Sequence, residues 1–277
     1  AWPLVVAHRG GGALAPENTL AAARAAAAAG ADGWEFDVQL TKDGEAILMH
    51  DESLARTTNA RDVFPGRAPR RVEDFTLEEI KRLDAGSWFL ARDPFGTLAG
   101  GQVPGELSTA FRGEPVPTLR EALLATRELG LLADVELKGS LAAFALSGRQ
   151  RSLVQRTVAV IDELGMTDRV LVSSFAGEMI GYVKELAPTI TAAPIVIFPP
   201  QDLRGYLDRL GADGVAVSTM GFSPQAAAAL AEAGYQVYVW TVNDPAPLRR
   251  YAGLDGLAGI ITDWPHRLVG ILTARGD

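Results

Sequence analysis

The chain has 277 residues, 48% of them hydrophobic and 22% charged, with a formal net charge of −8 and no cysteine. That length suits one globular domain of barrel size with a large core. The scattered lysines and arginines of an acidic chain exclude a long nucleic-acid footprint, and the missing cysteines exclude disulfides, zinc–thiolate centres and a thiol nucleophile.

Residues 3–8 form a short apolar run ending in Arg9-Gly10-Gly11-Gly12, the pattern of a buried strand with a loop at its C-terminal end. The apolar stretch 4–7 is too short for a signal-peptide core. The glycines are expected to leave backbone N–H groups free for an anion. Pro16-Glu17-Asn18-Thr19 opens an alanine-rich helix that runs to Gly30, with Asn18 or Thr19 as its cap.

Residues 34–51 read as strand, turn and strand, with Asp43-Gly44 as the hairpin signal. Glu35 and Asp37 lie two apart and leave the same face of the first strand. The antiparallel return brings His50 and Asp51 beside them. Two adjacent buried carboxylates are costly unless basic groups or a cation neutralise them. A hard metal ion with a histidine next to it fits that need.

From 52 to 113 the pattern loosens, with frequent arginine, proline and glycine and one amphipathic helix over 76–83. We expect an insertion folded over the site. After residue 117 the chain becomes rhythmic. Helical stretches near 118–130, 148–164, 176–187, 202–211, 223–233 and 245–252 alternate with apolar runs near 131–137, 169–174, 189–197, 213–217, 235–241 and 259–263. Such alternation implies a parallel sheet covered by helices. With 4–8 and 33–37 it supplies the eight strands of an α/β (β/α)8 TIM barrel. Residues 45–50 are then an excursion at the top of the second strand, or else a barrel strand that displaces a later one. No apolar run approaches the roughly 18–20 residues that cross a bilayer.

Active sites of such barrels sit at the C-terminal strand ends. Read in order, those ends carry His8-Arg9, Glu35-x-Asp37, Glu136-x-Lys138, Trp240-Thr241-Val242-Asn243 and Thr262-Asp263. Three carboxylates from two strands suit all-oxygen ligation of Mg²⁺ or Ca²⁺ rather than zinc. Two of the three histidines, His8 and His50, fall at this mouth, while His266 reads as structural. Arg9 and Lys138 are either counter-charges for the acids or a phosphate clamp. Phe175 and Trp240 are core residues unless the strand-end position puts Trp240 against the carbon skeleton of a small polyol. No G-x-S-x-G or nucleotide-binding glycine loop is present. A metal, two histidines and a phosphate clamp together describe phosphodiester hydrolysis.

His8-Arg9-Gly10, Pro16-Glu17-Asn18-Thr19, Glu35-x-Asp37, His50-Asp51, Glu136-x-Lys138, Ser173-Ser174-Phe175, Trp240-Thr241-Val242-Asn243 and Thr262-Asp263 follow one another in this order. The set resembles the motifs of the glycerophosphodiester phosphodiesterases, from near the N-terminus to the last strand. The resemblance implies a TIM barrel with a small insertion after the second strand and hairpin, a single domain over 1–277 with 52–113 as that insertion. It implies hydrolysis of glycerophosphodiesters such as glycerophosphocholine or glycerophosphoethanolamine to glycerol 3-phosphate and an alcohol. Glu35, Asp37 and Glu136 would hold Mg²⁺ or Ca²⁺, and His8 and His50 would form the acid–base pair. Arg9 and Lys138 would bind phosphate, with Phe175 and Trp240 lining the substrate pocket and Asn18 and Asp51 in support. The opening residues look most like the cytoplasmic bacterial members, with a periplasmic or secreted place if a leader preceded Ala1. The partner expected is a small glycerophosphodiester, without nucleic acid or a membrane span, and a homo-oligomer is an allowed assembly. Gly139 stands where family members commonly carry proline, and 92–112 is longer and richer in glycine than the family pattern. The rivals are a phospholipase D-like lipid phosphodiesterase, which usually carries disulfides, and a barrel that binds glycerophosphodiesters without catalysis.

Overall fold

A computed structural model describes residues 2–139 and 145–276. Strand β1 (Leu4–Ala7) leads through the loop 8–19 into α1 (Leu20–Ala28), and β2 (Gly33–Leu40) and β3 (Ala46–Leu48) form the hairpin. Four short helices follow: α2 (Ala60–Val63), α3 (Leu77–Ile80), α4 (Ser87–Arg92) and α5 (Gly105–Thr109). Strand and helix then alternate through α6 (Leu119–Glu128), β4 (Leu132–Leu137), α7 (Gly148–Glu163), β5 (Val170–Ser174), α8 (Gly177–Leu186) and β6 (Thr191–Val196). The chain finishes with α9 (Leu203–Leu210), β7 (Gly214–Ser218), α10 (Pro224–Glu232), β8 (Gln236–Trp240), α11 (Pro245–Ala252), β9 (Gly259–Thr262) and α12 (Pro265–Gly276).

The strands run in the order β1-β9-β8-β7-β6-β5-β4-β2, and β1 pairs in parallel with β2, so the sheet closes into a (β/α)8 TIM barrel. The hairpin question is resolved in favour of an excursion. Among the described residues β3 has β2 as its only strand partner, in antiparallel register with Leu48 opposite Val38. Gly44 takes a φ of 82° in the turn, a conformation that costs glycine little. Gln39 pins the returning arm: its Nε2 donates to the carbonyls of Met49 at 2.7 Å, His50 at 3.2 Å and Asp51 at 2.7 Å. No helix among the described residues is long and apolar enough to cross a membrane.

Alternation along each strand sorts side chains between two layers. Trp34, Phe36 and Val38 of β2 and Ala133, Val135 and Leu137 of β4 face the surrounding helices in the main core. Inside the barrel, Val6, Leu171, Ala193, Ile195, Ala216, Tyr238 and Ile261 form a second cluster. On β2 and β4 the other set of positions is acidic instead, and Glu35, Asp37, Asp134 and Glu136 are all buried. Parallel register places Glu35 across from Asp134 and Asp37 across from Glu136.

The insertion has a small core of its own, in which Ile47, Met49 and Leu54 meet Val72, Phe75, Ile80 and Leu83. The helix expected over 76–83 is shorter than its apolar pattern suggested. Thr76 and Glu79 make a capping box that starts α3, but Arg82 and Leu83 donate three residues back, to Glu79 and Ile80, so the tail winds as tight turns.

Trp34 Nε1–H donates to Thr126 Oγ1 at 2.8 Å, with both residues fully buried between β2 and α6. Thr126→Val keeps the shape and strands the indole N–H, so it should destabilise the fold by about 1–3 kcal/mol. Urea unfolding should show a lower midpoint at an unchanged m-value. A midpoint that stays in place would mean this hydrogen bond is not part of the barrel's stability.

Candidate active site

Glu35, Asp37 and Glu136 each present a carboxylate oxygen, all within 4.8 Å of one another. Burial, reinforced by Asp37 and Glu136, pushes the Glu35 carboxyl well above the ordinary range. Its Oε2 accepts the Arg9 backbone N–H at 2.8 Å, while Oε1 is buried without a partner. Burial and Asp37 also raise Glu136, against the pull of Lys138. For Asp37 burial again acts upward, but Lys138 and Arg9 overcome it and hold the carboxyl below its usual value. Lys138 Nζ donates to Asp37 Oδ1 at 3.1 Å and to Glu136 Oε1 at 2.8 Å. Those two anions outweigh desolvation and push the ammonium up to about 12. Such a set fits a hard cation: the donors are all oxygen, their charges crowd, and one buried oxygen is orphaned.

Each histidine is held by its own aspartate. His8 Nδ1 lies 2.8 Å from Asp263 Oδ1, and Asn243 Nδ2 donates to the other oxygen of Asp263 at 2.7 Å. Burial would raise Asp263, but His8 and Asn243 keep it below the usual carboxylate range. His50 Nδ1 lies 2.7 Å from Asp51 Oδ1. Arg56 donates to Asp51 through Nε at 2.6 Å and Nη2 at 2.9 Å. With His50 it brings Asp51 down to about 2 in spite of burial. An ionised carboxylate only accepts, so Nδ1 is the donor in both rings and Nε2 is left to exchange a proton. His8 Nε2 stands 3.9 Å from Glu35 Oε2. Burial lowers the His50 imidazole, and Arg9 and Lys138 add to that effect against Asp37.

The segment between β1 and α1 supplies the rest. Asn18 clasps Asp37 twice: Nδ2 donates to Oδ2 at 2.9 Å, and Oδ1 accepts the Asp37 N–H at 3.0 Å. It is therefore Thr19 that caps α1, accepting the Ala22 N–H. Arg9 and Asn18 both adopt left-handed backbone, with φ of 51° and 58°. A non-glycine residue holds that conformation only where its surroundings enforce it. The expectation of free N–H groups at the glycine run is overturned. Gly11 and Gly12 donate to the His8 carbonyl at 2.8 and 3.2 Å. Gly10 is there for packing: at φ +85°, a Cβ would come within 2.5 Å of the Ala22 Cβ. The charged groups left to meet an anion are Arg9 and Lys138.

Phe175 and Trp240 meet edge to face with centroids 5.4 Å apart, and Trp240 Nε1 donates to the Ala216 carbonyl at 3.1 Å. At Gly139 a Cβ would fall 2.6 Å from Met179 Sδ and 3.0 Å from Gln150 Nε2, which explains glycine at that position. Sequence reasoning gave no role to Glu17 or Arg56. Arg56 bonds Glu17 at 2.9 and 2.7 Å, and Glu17 accepts from Arg9 at 3.1 Å. Asp263 and Asn243 were visible at strand ends, but their tie to His8 crosses most of the chain.

Residues 8–267 match the model of the glycerophosphoryl diester phosphodiesterase family. A glycerophosphodiester phosphodiesterase of Caldanaerobacter subterraneus subsp. tengcongensis is 32% identical over 275 residues, covering 99% of each chain. One from Bacillus altitudinis is 32% identical over 270 residues, covering 96% of this chain and 97% of its own. Among solved structures, an Oleispira antarctica phosphodiesterase in complex with its product sn-glycerol-3-phosphate is similar with a TM-score of 0.79 at 29% identity, over 98% of this chain and 97% of that one. A glycerophosphodiester phosphodiesterase from Agrobacterium tumefaciens has a TM-score of 0.71 at 27% identity, over 97% and 99%.

Asp134 is the fourth buried acid, bonded by Ser173 Oγ at 2.6 Å. Burial, with Glu136 and Asp37 adding and Ser173 opposing, raises it from 3.8 to about 7. A carboxyl raised in the folded state lends stability that is full below its unfolded pKa and is lost as pH climbs through the folded one. The metal-free protein should therefore lose stability between about pH 4 and 7, by up to a few kcal/mol at about 1.4 kcal/mol per unit. Asp134→Asn should remove part of that slope in thermal melts across this range. A slope as steep as the wild type's would show that Asp134 is ionised throughout.

Proposed function

The chain belongs to the glycerophosphoryl diester phosphodiesterase family, and from that premise we propose that it hydrolyses glycerophosphodiesters, glycerophosphocholine and glycerophosphoethanolamine among them. The products are glycerol 3-phosphate and an alcohol, and the reaction depends on a divalent ion and on two histidines. The observation that carries this reading is the pairing of both imidazoles with ionised aspartates around one cluster of buried carboxylates.

Glu35, Asp37 and Glu136 are the residues that would hold Mg²⁺ or Ca²⁺. When bound, such an ion supplies Lewis-acid stabilisation of charge on the phosphoryl oxygens. Arg9 and Lys138 lie on the same carboxylates and are placed to take those oxygens as well. One of His8 and His50 removes the proton from the attacking hydroxyl at Nε2. The other protonates the departing alkoxide as the P–O bond breaks, so that one proton is taken up and one is delivered. Asp263 and Asp51 stabilise the imidazolium that forms in each half. Phe175 and Trp240 offer an apolar wall to the glycerol carbons, and Asn18 keeps Asp37 in its orientation. We take 1–277 as one catalytic domain in which the 52–113 insertion braces His50 through Asp51 and Arg56.

Purified protein should release glycerol 3-phosphate from glycerophosphocholine. EDTA should abolish the release, and Mg²⁺ or Ca²⁺ should restore it. Turnover indifferent to chelation would remove the metal assignment. His8→Ala and His50→Ala should each lower kcat by at least the roughly 10²-fold typical of losing an acid–base group. Wild-type turnover in either variant takes that histidine out of the mechanism.

A further inference from the structure

A cavity of about 480 Å³ opens beside the candidate site, with His50 and Lys138 in its wall. Gln39, Ser147 and Gln150 also line it, and its other charged lining comes from the insertion, through Glu52, Arg71 and Glu73, and from the first turn of α7, through Arg149. Volume of this order accepts a small polar molecule with room to spare. We propose that it is the subsite for the alcohol that leaves the diester, and that it selects a neutral polyol of glycerol or cyclitol size. The proposal rests on the reading of Arg9 and Lys138 as the phosphate clamp.

Position supplies the first step. With phosphate between those cations, the two ester arms must leave in different directions. Phe175 and Trp240, on the ends of β5 and β8, offer their apolar faces to one arm. The other arm has the cavity, which is bounded by β2, β4 and the insertion.

The lining supplies the second. Glu73 is shared at 3.5 Å by Arg71 and Arg149, and among the described residues no ion pair involves Glu52. Among the described lining residues the two carboxylates and two guanidiniums cancel, so that away from Lys138 the wall offers acceptors and donors without net charge. Val72 N–H donates to the Glu52 carbonyl at 2.8 Å, and Ser53 pairs with Arg71, so the backbone ties together the two stretches of the insertion that carry these side chains. Hydroxyl groups are the ligand chemistry that uses both, because each one donates and accepts. A quaternary ammonium finds no aromatic face among the described lining residues. Among the described lining residues an acyl chain finds only Leu40 and Leu153.

The test compares kcat/KM for glycerophosphoinositol, glycerophosphoglycerol and glycerophosphocholine under the same divalent ion. The polyol diesters should be preferred about tenfold, the factor expected from one or two hydrogen bonds to charged groups. Arg71→Met removes donors while leaving both carboxylates, so it should bring the ratio close to one, and Arg71→Lys should retain most of it. Parity or a choline preference in the wild type overturns the subsite. Equal losses on all three substrates in Arg71→Met overturn it as well. If the wild type cleaves none of the diesters, the proposed function falls and takes the subsite with it, whereas cleavage without preference removes the subsite alone.

Discussion

Four carboxylates buried on two neighbouring barrel strands set the terms for the rest of the molecule. Parallel register stacks Glu35 against Asp134 and Asp37 against Glu136 inside the ring. Each buried, uncompensated charge would cost several kcal/mol. The nearby chain is consequently rich in groups that answer negative charge: Lys138 spans Asp37 and Glu136, Arg9 reaches Asp37, and Asn18 clasps it from the side. Even so the neutralisation is incomplete. Glu35 keeps an orphan oxygen, and Glu35, Asp134 and Glu136 are all raised by burial. A fold that retains such a deficit is poised for a cation, and the same deficit explains why protonation and folding are coupled here.

The second consequence concerns the insertion. His50 lies outside the ring, so its position depends on whatever ties the excursion down. Gln39 holds the backbone of 49–51. His50 bonds Asp51, and from Asp51 a chain of alternating charge runs through Arg56 and Glu17 to Arg9 and Asp37. Because every link pairs opposite signs in a partly buried setting, moving one member exposes the next to an unpaired neighbour. The histidine on the hairpin excursion and the carboxylates on the barrel thus sit in one hydrogen-bonded network, although β3 belongs to no barrel seam.

Much of this arrangement was legible in the sequence for physical reasons. Apart from the acidic inward positions of β2 and β4, the barrel strands are apolar on both faces because helices cover one side and the ring fills the other, so their runs stand out. The two-residue spacing of Glu35 with Asp37 and of Glu136 with Lys138 fixes a shared face once each pair is read on a strand. Asp43-Gly44 declares a reversal through backbone chemistry alone. The ionic ties were not legible: Glu17 and Arg56 are ordinary surface letters until folding brings them together, and nothing local marks Asp263 as the partner of His8. The glycine run misled for a related reason. Its composition suits an anion nest, yet the N–H groups of Gly11 and Gly12 are consumed by the His8 carbonyl and Gly10 is needed for contact with α1. The helix over 76–83 failed at its end, where apolar spacing persists but the hydrogen bonds tighten to three residues back.

The barrel mouth is divided in a way that follows from the same acidic pair of strands. The β2–β4 side must carry the compensating cations, so it is polar and tightly coupled. The β5–β9 side has no such burden, and its inward cluster of Leu171, Ala193, Ile195, Ala216, Tyr238 and Ile261 continues up to Phe175 and Trp240. The mouth therefore presents charged groups on one flank and an apolar wall on the other. The insertion contributes to the polar flank through exposed side chains such as Glu52, Arg71 and Glu73, which lie beyond the buried ion network. Changes there leave every buried charge paired, whereas a change at Glu17, Arg56 or Asn18 disturbs the neutralisation of Asp37 or the support of His50. The polar flank thus has an exposed part whose side chains can change freely and a buried part whose members constrain one another, and the boundary between them runs along the line where burial makes an unpaired charge expensive.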